Sequence, residues 1–256
     1  MVWQVERINY IWRLFATTLG YVVFGLGGII ATLLCMLCCL LIWNTEYRQR
    51  VLKRLIHHCF RLFVNFMQFL GVLSWSITRE AILKQPGRII LANHPCLLDV
   101  VFLISCVPQA DCVVKSRLLH NPFMGWVMKG AGYIANDNPS VVIEKAAASL
   151  NRGNSLIVFP EGTRTTPGED FAMRRGAANI AIRVGKNITP VVITCVPPTL
   201  TKENKWYSIP DKRFHIALSV KTEIDISHFA LSPPSVGARD LTQFLLTFFN
   251  TELTNA

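Results

Sequence analysis

The feature that most constrains this chain is a long apolar run close to its N-terminus. Residues 14–45 contain no Asp, Glu, Lys, Arg or His, whereas charged residues recur from Glu46 onward. One helix of that length would measure about 48 Å, against roughly 30 Å for a hydrocarbon core, yet two full spans would need about 40 residues. Gly25, Gly27 and Gly28 lie near the middle of the run. It therefore predicts either one tilted span over about residues 21–43 or a helical hairpin that enters one leaflet and returns.

Charge and cysteine content indicate the binding partner and the cellular location of the rest of the chain. The net charge of +10 calls for an anionic partner, and the neighbouring apolar run favours a membrane surface over nucleic acid, for which the sequence has no fingerprint. Basic residues after the run outnumber those before it, which predicts a cytoplasmic location for the bulk of the protein. The eight cysteines are scattered, which indicates a reducing compartment. We predict a membrane anchor over residues 1–50, an amphipathic interfacial helix over 51–75 and a catalytic domain over 76–256.

Residues 51–70 show helical periodicity. One face is apolar and the other is polar and mostly cationic. Two interpretations remain open: a helix that lies on anionic lipid, and a helix that packs on the core of the domain. The apolar face comprises Leu52, Leu55, Ile56, Cys59, Phe63, Met67 and Leu70, and the polar face Lys53, Arg54, His57, His58, Arg61, Asn65 and Gln68.

From Pro86 onward, short β-branched runs alternate with helical patterns. Strands are predicted over 88–92, 112–115, 155–159, 188–196 and 214–222, and helices over 97–106, 121–129, 140–151, 172–184 and 238–253. Such alternation is typical of an α/β fold with a layered, mainly parallel β-sheet flanked by helices. We expect this sheet to follow the N-terminal membrane-anchoring helix or helical hairpin.

Two clusters of chemically competent side chains follow predicted strands. His94 comes directly after the strand that ends near Ala92, and Asp99 stands five residues later, at the start of a helix. A carboxylate that holds one imidazole nitrogen leaves the other free to act as a base near neutral pH. The second cluster, Phe159-Pro160-Glu161-Gly162-Thr163-Arg164, also follows a strand, and its guanidinium suits a phosphate.

Together, Asn93-His94-x4-Asp99 and Phe159 to Arg164 resemble the first and third motifs of the lysophospholipid acyltransferase family, typified by 1-acylglycerol-3-phosphate acyltransferase. Lys115 to Gly132 resembles the segment before the second motif, and Thr189-Pro190-Val191 resembles the fourth. The second motif departs from the family pattern, because Asn138 stands where an Arg usually does. The resemblance covers roughly residues 70–200.

The resemblance implies transfer of a fatty acyl group from acyl-CoA or acyl-carrier protein to a lysolipid hydroxyl, with His94 as base and Asp99 as its orienting partner. It assigns acceptor binding to Glu161 and Arg164; the candidate substrate-binding set is completed by Gly162, Thr163, Arg174, Arg175 and Lys115. No metal or redox cofactor is implied, and Cys96 is interpreted as packing rather than as a nucleophile. We expect a bacterial inner membrane with the catalytic domain on its cytoplasmic face. Two alternatives are acylation of a non-glycerol lipid, such as an ornithine lipid or a polyene lipid precursor, and a catalytically silent lipid-binding membrane protein.

Overall fold

A seven-stranded sheet flanked by helices forms the centre of the protein in the computed structural model. The described residues are 2–121, 124–165, 171–203 and 212–255, with side chains described from Asn9 on. The helices are α1 (Val2–Leu41), α2 (Thr45–Phe69), α3 (Glu80–Leu83), α4 (Asp99–Cys106), α5 (Ser116–Leu119), α6 (Gly125–Ala131), α7 (Pro139–Asn151), α8 (Gly176–Val184), α9 (Ser227–Ala230) and α10 (Pro234–Thr254). The strands are β1 (Leu73–Thr78), β2 (Ile89–Ala92), β3 (Ala110–Val114), β4 (Ile134–Ala135), β5 (Ser155–Val158), β6 (Ile188–Val196) and β7 (Phe214–Val220).

The sheet has the order β1-β7-β6-β2-β5-β3-β4, and every neighbouring pair is parallel except β6 with β7. The predicted α/β fold with a mainly parallel sheet is therefore confirmed. Strands β6, β2, β5, β3 and β4 all end at the same edge, and ligands in open α/β sheets bind at such an edge. The two motifs that follow β2 and β5 consequently meet there.

Successive side chains of the central strands pack into two separate hydrophobic cores, one on each face of the sheet. Ile90 and Ile157 pack with the α2 and α4 side, whereas Ile89 and Leu156 pack on the other face with α7, α8 and α10. All four side chains are completely buried. Burial on both faces explains why these strands appear in the sequence as continuous apolar runs.

Helices α1 and α2 form an antiparallel pair joined by a short turn. Trp12 Nε1 donates a hydrogen bond of 3.0 Å to the carbonyl oxygen of Leu70, and the Phe24 ring stacks on that of Phe60. A Cβ on Gly20 would come within 2.6 Å of the Met67 sulfur, so glycine permits close approach of the two helices. Helix α1 therefore lies along α2 over most of its length.

The course of α1 corrects one of the two predictions for the apolar run. A hairpin within residues 14–45 is wrong, because α1 continues as a helix through Gly25, Gly27 and Gly28, and none of them has a positive φ. In an apolar setting each unpaired backbone group is costly, which favours an unbroken helix despite its glycines. The part Asn9–Leu41 is long and apolar enough to cross a membrane. Its exposed side carries, among others, Leu26, Ile29, Ile30, Leu33, Leu37, Leu40 and Leu41.

Helix α2 packs on the domain, which favours the second of its two interpretations. Three members of its polar face point into the protein: Lys53 forms a buried ion pair with Asp111, His57 Nδ1 lies 2.8 Å from the Ile104 carbonyl oxygen, and Arg61 binds Glu80. The apolar face meets α1 instead. A position on anionic lipid, the first interpretation, does not apply to Lys53, because a carboxylate within the core neutralises its charge.

Some predicted boundaries shift, and two strands were not predicted. Helix α4 begins at Asp99 rather than at residue 97, and α8 begins at Gly176 rather than at 172. The helix predicted over 121–129 is displaced to α6, and Pro122 and Phe123 lie outside the described residues. Strands β1 and β4 had no prediction. The division of the chain at residues 50 and 75 stays a prediction.

Candidate active site

The predicted His–Asp pair forms at the carboxyl end of β2. His94 Nδ1 lies 2.9 Å from Asp99 Oδ2, and the same oxygen accepts a 2.7 Å hydrogen bond from the Cys96 backbone N–H. Asp99 is completely buried, whereas 18% of the His94 side chain is exposed. With Nδ1 held by the carboxylate, Nε2 is the nitrogen available to a substrate.

The environment of Asp99 governs its ionisation. Burial raises the pKa of the Asp99 carboxyl above its ordinary value, and the hydrogen bonds from His94 and Cys96 offset part of that rise. The charge of Arg164 acts in the same direction as these hydrogen bonds. The carboxylate thus depends on the imidazole for its charged state, and the imidazole depends on the carboxylate for its orientation.

Asn93 fixes the backbone just before His94. Its side chain is buried, its Nδ2 donates 2.8 Å to the Ile193 carbonyl oxygen, and its Oδ1 accepts 2.7 Å from the Ile193 N–H. The amide thereby extends the hydrogen bonding between β2 and β6 beyond the last paired residues. Asn93 belongs to the first sequence motif, but nothing in the sequence identifies Ile193 as its partner.

The segment after β5 holds His94 from its other side. Glu161 Oε1 accepts hydrogen bonds of 2.9 Å from the His94 backbone N–H and from Thr165 Oγ1. The Thr165 N–H donates 2.8 Å to the His94 carbonyl oxygen, and the Phe159 ring stacks on the imidazole at a centroid distance of 4.4 Å. Burial raises the pKa of Glu161, while the donors Thr165 and His94 lower it. Two neighbouring backbone groups of the candidate base are therefore held by this segment.

Arg164 links the same segment to the chain beyond β6. One of its guanidinium nitrogens donates 2.8 Å hydrogen bonds to the carbonyl oxygens of both Leu200 and Thr201. The Leu200 carbonyl oxygen also accepts a hydrogen bond from the N–H of Leu97, which lies between His94 and Asp99 in the sequence. Arg164 thus has internal partners in addition to its predicted contact with the acceptor. Nothing in the sequence identifies Leu200 and Thr201 as those partners.

Glycine is required between Glu161 and Thr163. Gly162 has φ +69°, and a Cβ there would lie 3.2 Å from Nε of Arg174. The Arg174 backbone N–H donates 3.0 Å to the Pro160 carbonyl oxygen. Arg174 therefore packs against this turn, beside the residues that hold His94.

The other predicted binding residues lie exposed at the same edge of the sheet. Thr163 and Arg175 are exposed in the segment between β5 and the start of α8, and Lys115 is exposed directly after β3. In the second motif, Asn138 Oδ1 accepts from both the backbone N–H and the hydroxyl of Ser140. Asn138 thus caps α7.

Cys96 is packed rather than reactive. Its side chain is completely buried, and its hydrogen bond with Cys195 together with burial raises the pKa of the Cys96 thiol. A thiol held in its protonated form is a poor nucleophile. Within the described ranges, no group of three or more His, Cys, Asp or Glu side chains could hold a metal ion.

Comparison with known proteins agrees with this arrangement. A family model described as Acyltransferase matches residues 76–194. The chain is 29% identical to a 1-acyl-sn-glycerol-3-phosphate acyltransferase of Saccharomyces cerevisiae over 74% of its own length and 62% of the yeast protein. It is 32% identical to the Helicobacter pylori protein of that name over 42% of its length and 48% of that protein. These matches thus span less than two thirds of either relative.

A solved structure extends the likeness to the whole fold. The crystal structure of the 1-acyl-sn-glycerophosphate acyltransferase PlsC from Thermotoga maritima superposes with a TM-score of 0.68, at 17% identity, over 95% of this chain and 97% of that one. The family model covers the segment that carries His94, Asp99 and Glu161. Residues 76–194 therefore match the acyltransferase family, and the chain is similar to 1-acyl-sn-glycerol-3-phosphate acyltransferases over part of their length.

Proposed function

We propose that this protein transfers a fatty acyl group from acyl-CoA or acyl-carrier protein to the hydroxyl of a lysolipid, 1-acylglycerol-3-phosphate in the first instance. The observation that carries the proposal is the His94–Asp99 pair at the carboxyl end of β2, in which the carboxylate is completely buried and the imidazole is partly exposed. The names of the relatives support the choice of acceptor.

The geometry supports direct transfer with His94 as the general base. Nε2 takes the proton of the acceptor hydroxyl, the oxygen attacks the thioester carbonyl carbon, and the C–S bond breaks as the ester forms. The imidazolium returns the proton to the thiolate that leaves. Asp99 stabilises the imidazolium and keeps Nδ1 protonated. The reaction draws its leaving group from the thioester, so it proceeds without a metal or redox cofactor.

The third motif has two parts in this proposal. Glu161 acts on the base, because its Oε1 already accepts from the His94 N–H and from Thr165. Arg164, Arg174, Arg175 and Lys115 supply the positive charge at the strand edge that a phosphate acceptor needs. Guanidinium groups are suited to this contact because their donors match phosphate oxygens in pairs.

A second acceptor class follows from Asn138. Its side chain caps α7 and carries no charge, so it cannot replace the arginine of the family pattern as a phosphate ligand. A non-glycerol lipid acceptor, such as an ornithine lipid or a polyene lipid precursor, would place less demand on that position. Direct transfer by His94 is common to both acceptors.

Membrane attachment through α1 accompanies the activity. One side of α1 packs on α2, whereas large aliphatic side chains cover its other side, as in a helix that lies in the membrane interface. Ala16 on α1 is completely buried in the hydrophobic cluster that also contains Cys96, the residue two positions after His94. The candidate site therefore lies next to the anchor, where a lysolipid arrives from the bilayer. By analogy with the bacterial relatives, we assign the protein to the cytoplasmic face of a bacterial inner membrane.

The test is acyl transfer by the purified full-length protein from labelled acyl-CoA and acyl-carrier protein to a panel of lysolipids that includes lysophosphatidate. His94→Ala should lose at least about 10²-fold in kcat. The matched control is His228→Ala, because His228 is exposed on α9, far from His94 along the chain.

The outcomes separate the candidates. Transfer to lysophosphatidate that disappears in His94→Ala supports the first acceptor, and transfer confined to another lipid supports the second. Activity of His94→Ala equal to that of His228→Ala would refute the role of the base. A protein that binds lysolipid but acylates no lipid in the panel would be the catalytically silent alternative.

A further inference from the structure

The segment between β3 and β4 exposes three large apolar side chains. Leu118 on α5 is 41% exposed, Met124 is 41% exposed, and Trp126 on α6 is 56% exposed. Exposed apolar residues are common singly, but a group of this kind within one short segment marks an interaction surface. We call these three residues the α5–α6 patch.

The α5–α6 patch borders the exposed side of α1. Cys35 Sγ on α1 lies 3.4 Å from the Trp126 carbonyl oxygen, and a Cβ on Gly130 would come within 2.5 Å of the same sulfur. The glycine thus lets α6 approach α1 directly. Leu34 and Leu37 flank Cys35 on α1 and are exposed. The backbone of α6 at Trp126 consequently contacts α1 beside its exposed leucines.

The charged side chains of the segment that carries the patch are cationic. Residues 112–136 contain no Asp or Glu, whereas Arg117 on α5 and Lys129 on α6 are both exposed. Tryptophan with aliphatic side chains and flanking cations is the composition of segments that rest in the headgroup region of anionic membranes. A lysine or arginine near such a surface contributes to binding through the negative surface potential.

We propose that the α5–α6 patch is a second membrane contact. Leu118, Met124 and Trp126 enter the interface of an anionic bilayer beside α1, and Arg117 and Lys129 contact lipid phosphates. The proposal rests on the membrane attachment through α1 that forms part of the proposed function, and it is independent of the acyl-transfer chemistry.

A second contact fixes the orientation of the enzyme. A single helix in the interface leaves the domain free to rotate about the helix axis. Helix α5 starts at the carboxyl end of β3, which lies two strands from β2 in the sheet, or about 10 Å at the usual strand spacing. When α1 and the α5–α6 patch both contact the membrane, the carboxyl end of β2, which carries His94, is held at the membrane surface. A lysolipid hydroxyl can reach Nε2 there.

The test measures how close single positions lie to the acyl chains. In the full-length protein the three cysteines that are not buried, Cys38, Cys39 and Cys59, are replaced by Ser. One new cysteine is then introduced as Leu118→Cys, Trp126→Cys, Leu33→Cys or Leu231→Cys and labelled with an environment-sensitive fluorophore. Each labelled protein is reconstituted in vesicles of phosphatidylcholine and phosphatidylglycerol that contain lipids with a nitroxide on the acyl chain. Leu231 is the matched control, because it is an 85% exposed leucine outside both contacts.

We expect the labels at residues 118 and 126 to lose most of their fluorescence, as the α1 label at residue 33 does, and the label at 231 to lose little. Arg117→Gln with Lys129→Gln should reduce the quenching at 118 without changing that at 33. Quenching at 33 but not at 118 or 126 would overturn the second contact and leave the anchor intact. If 118 and 126 are shielded from a water-soluble quencher yet not reached by the lipid nitroxides, the patch contacts a second copy, and the proposal fails. Absence of quenching at 33 would overturn both the anchor and the second contact.

Discussion

Replacing Lys53 by Met tests how α2 is attached to the domain. Lys53 Nζ lies 2.7 Å from Asp111 Oδ2, and both side chains are 2% exposed. Asp111 Oδ2 also accepts a hydrogen bond from the Ser149 hydroxyl and lies 3.4 Å from Asn154 Nδ2. Removing the ammonium leaves a buried carboxylate without its counter-charge, and breaking a buried pair in this way costs about 3–5 kcal/mol. At about 2–4 °C per kcal/mol for a chain of this size, the Tm should fall by about 6–20 °C.

The assay is thermal unfolding of the detergent-purified protein followed by intrinsic fluorescence. Lys53→Met with Asp111→Asn removes both charges but keeps an acceptor for Ser149, and we expect it to recover most of the lost Tm. The control is Arg54→Met, which removes an exposed cation from the next position of α2. If Lys53→Met unfolds at the same temperature as Arg54→Met, or if the double variant is no more stable than Lys53→Met, the buried pair does not hold α2 in place.

Four further predictions concern His94 and the residues around it. Glu161→Gln should lower kcat more than it raises the KM for the lysolipid, because the Glu161 carboxylate holds the His94 N–H; a rise in that KM alone would assign Glu161 to the acceptor instead. Asn93→Ala leaves the Ile193 N–H and carbonyl oxygen without the side-chain partner that holds them and should lower stability by about 2–3 kcal/mol, measured by denaturant unfolding with Asn65→Ala, an exposed position on α2, as control. Asp99→Asn should lower kcat by several orders of magnitude in purified enzyme. In the wild type, kcat/KM should fall as the medium is acidified, because activity needs both a neutral imidazole and an ionised Asp99; the acid limb belongs to the pair and should lie above the ordinary range of a carboxyl, since burial raises the pKa of Asp99; a limb at the pH of an exposed aspartate would contradict this.

The sheet could be predicted because strands that are buried on both faces appear in the sequence as continuous apolar runs. Strands β2, β5 and β6 are apolar on both faces, and their β-branched runs stand out between helical patterns. Strand β1 alternates apolar residues with serines and lies at the edge of the sheet, so it lacks such a run. Strand β4 has two residues, which is too few for any periodicity.

The His94–Asp99 pair could be predicted because the two residues are close in sequence. His94 follows the end of β2 and Asp99 begins the next helix, so both lie at the same strand end. The internal partners of Glu161 and Arg164 could not. Glu161 reaches back 67 residues to the His94 N–H, and Arg164 reaches forward 36 residues to Leu200. Residue type indicates which groups can bind a phosphate, but only the fold determines whether their donors and acceptors are already occupied.

The orientation of α2 shows why an amphipathic pattern alone cannot identify the partner of each face. The amphipathic pattern of α2 is present in the fold, but as a pattern it is compatible with a helix on anionic lipid and with a helix packed on the domain. In the fold, α1 covers the apolar face of α2, and two cations of α2 form ion pairs with carboxylates of the domain. Lys53 pairs with Asp111, and Arg61 pairs with Glu80. The charges of Lys53 and Arg61 on α2 therefore serve the attachment of the anchor to the domain. The anchor and the edge with His94 are thereby joined through α2 and α4, so the position of the anchor in the membrane determines where the candidate base can meet its substrate.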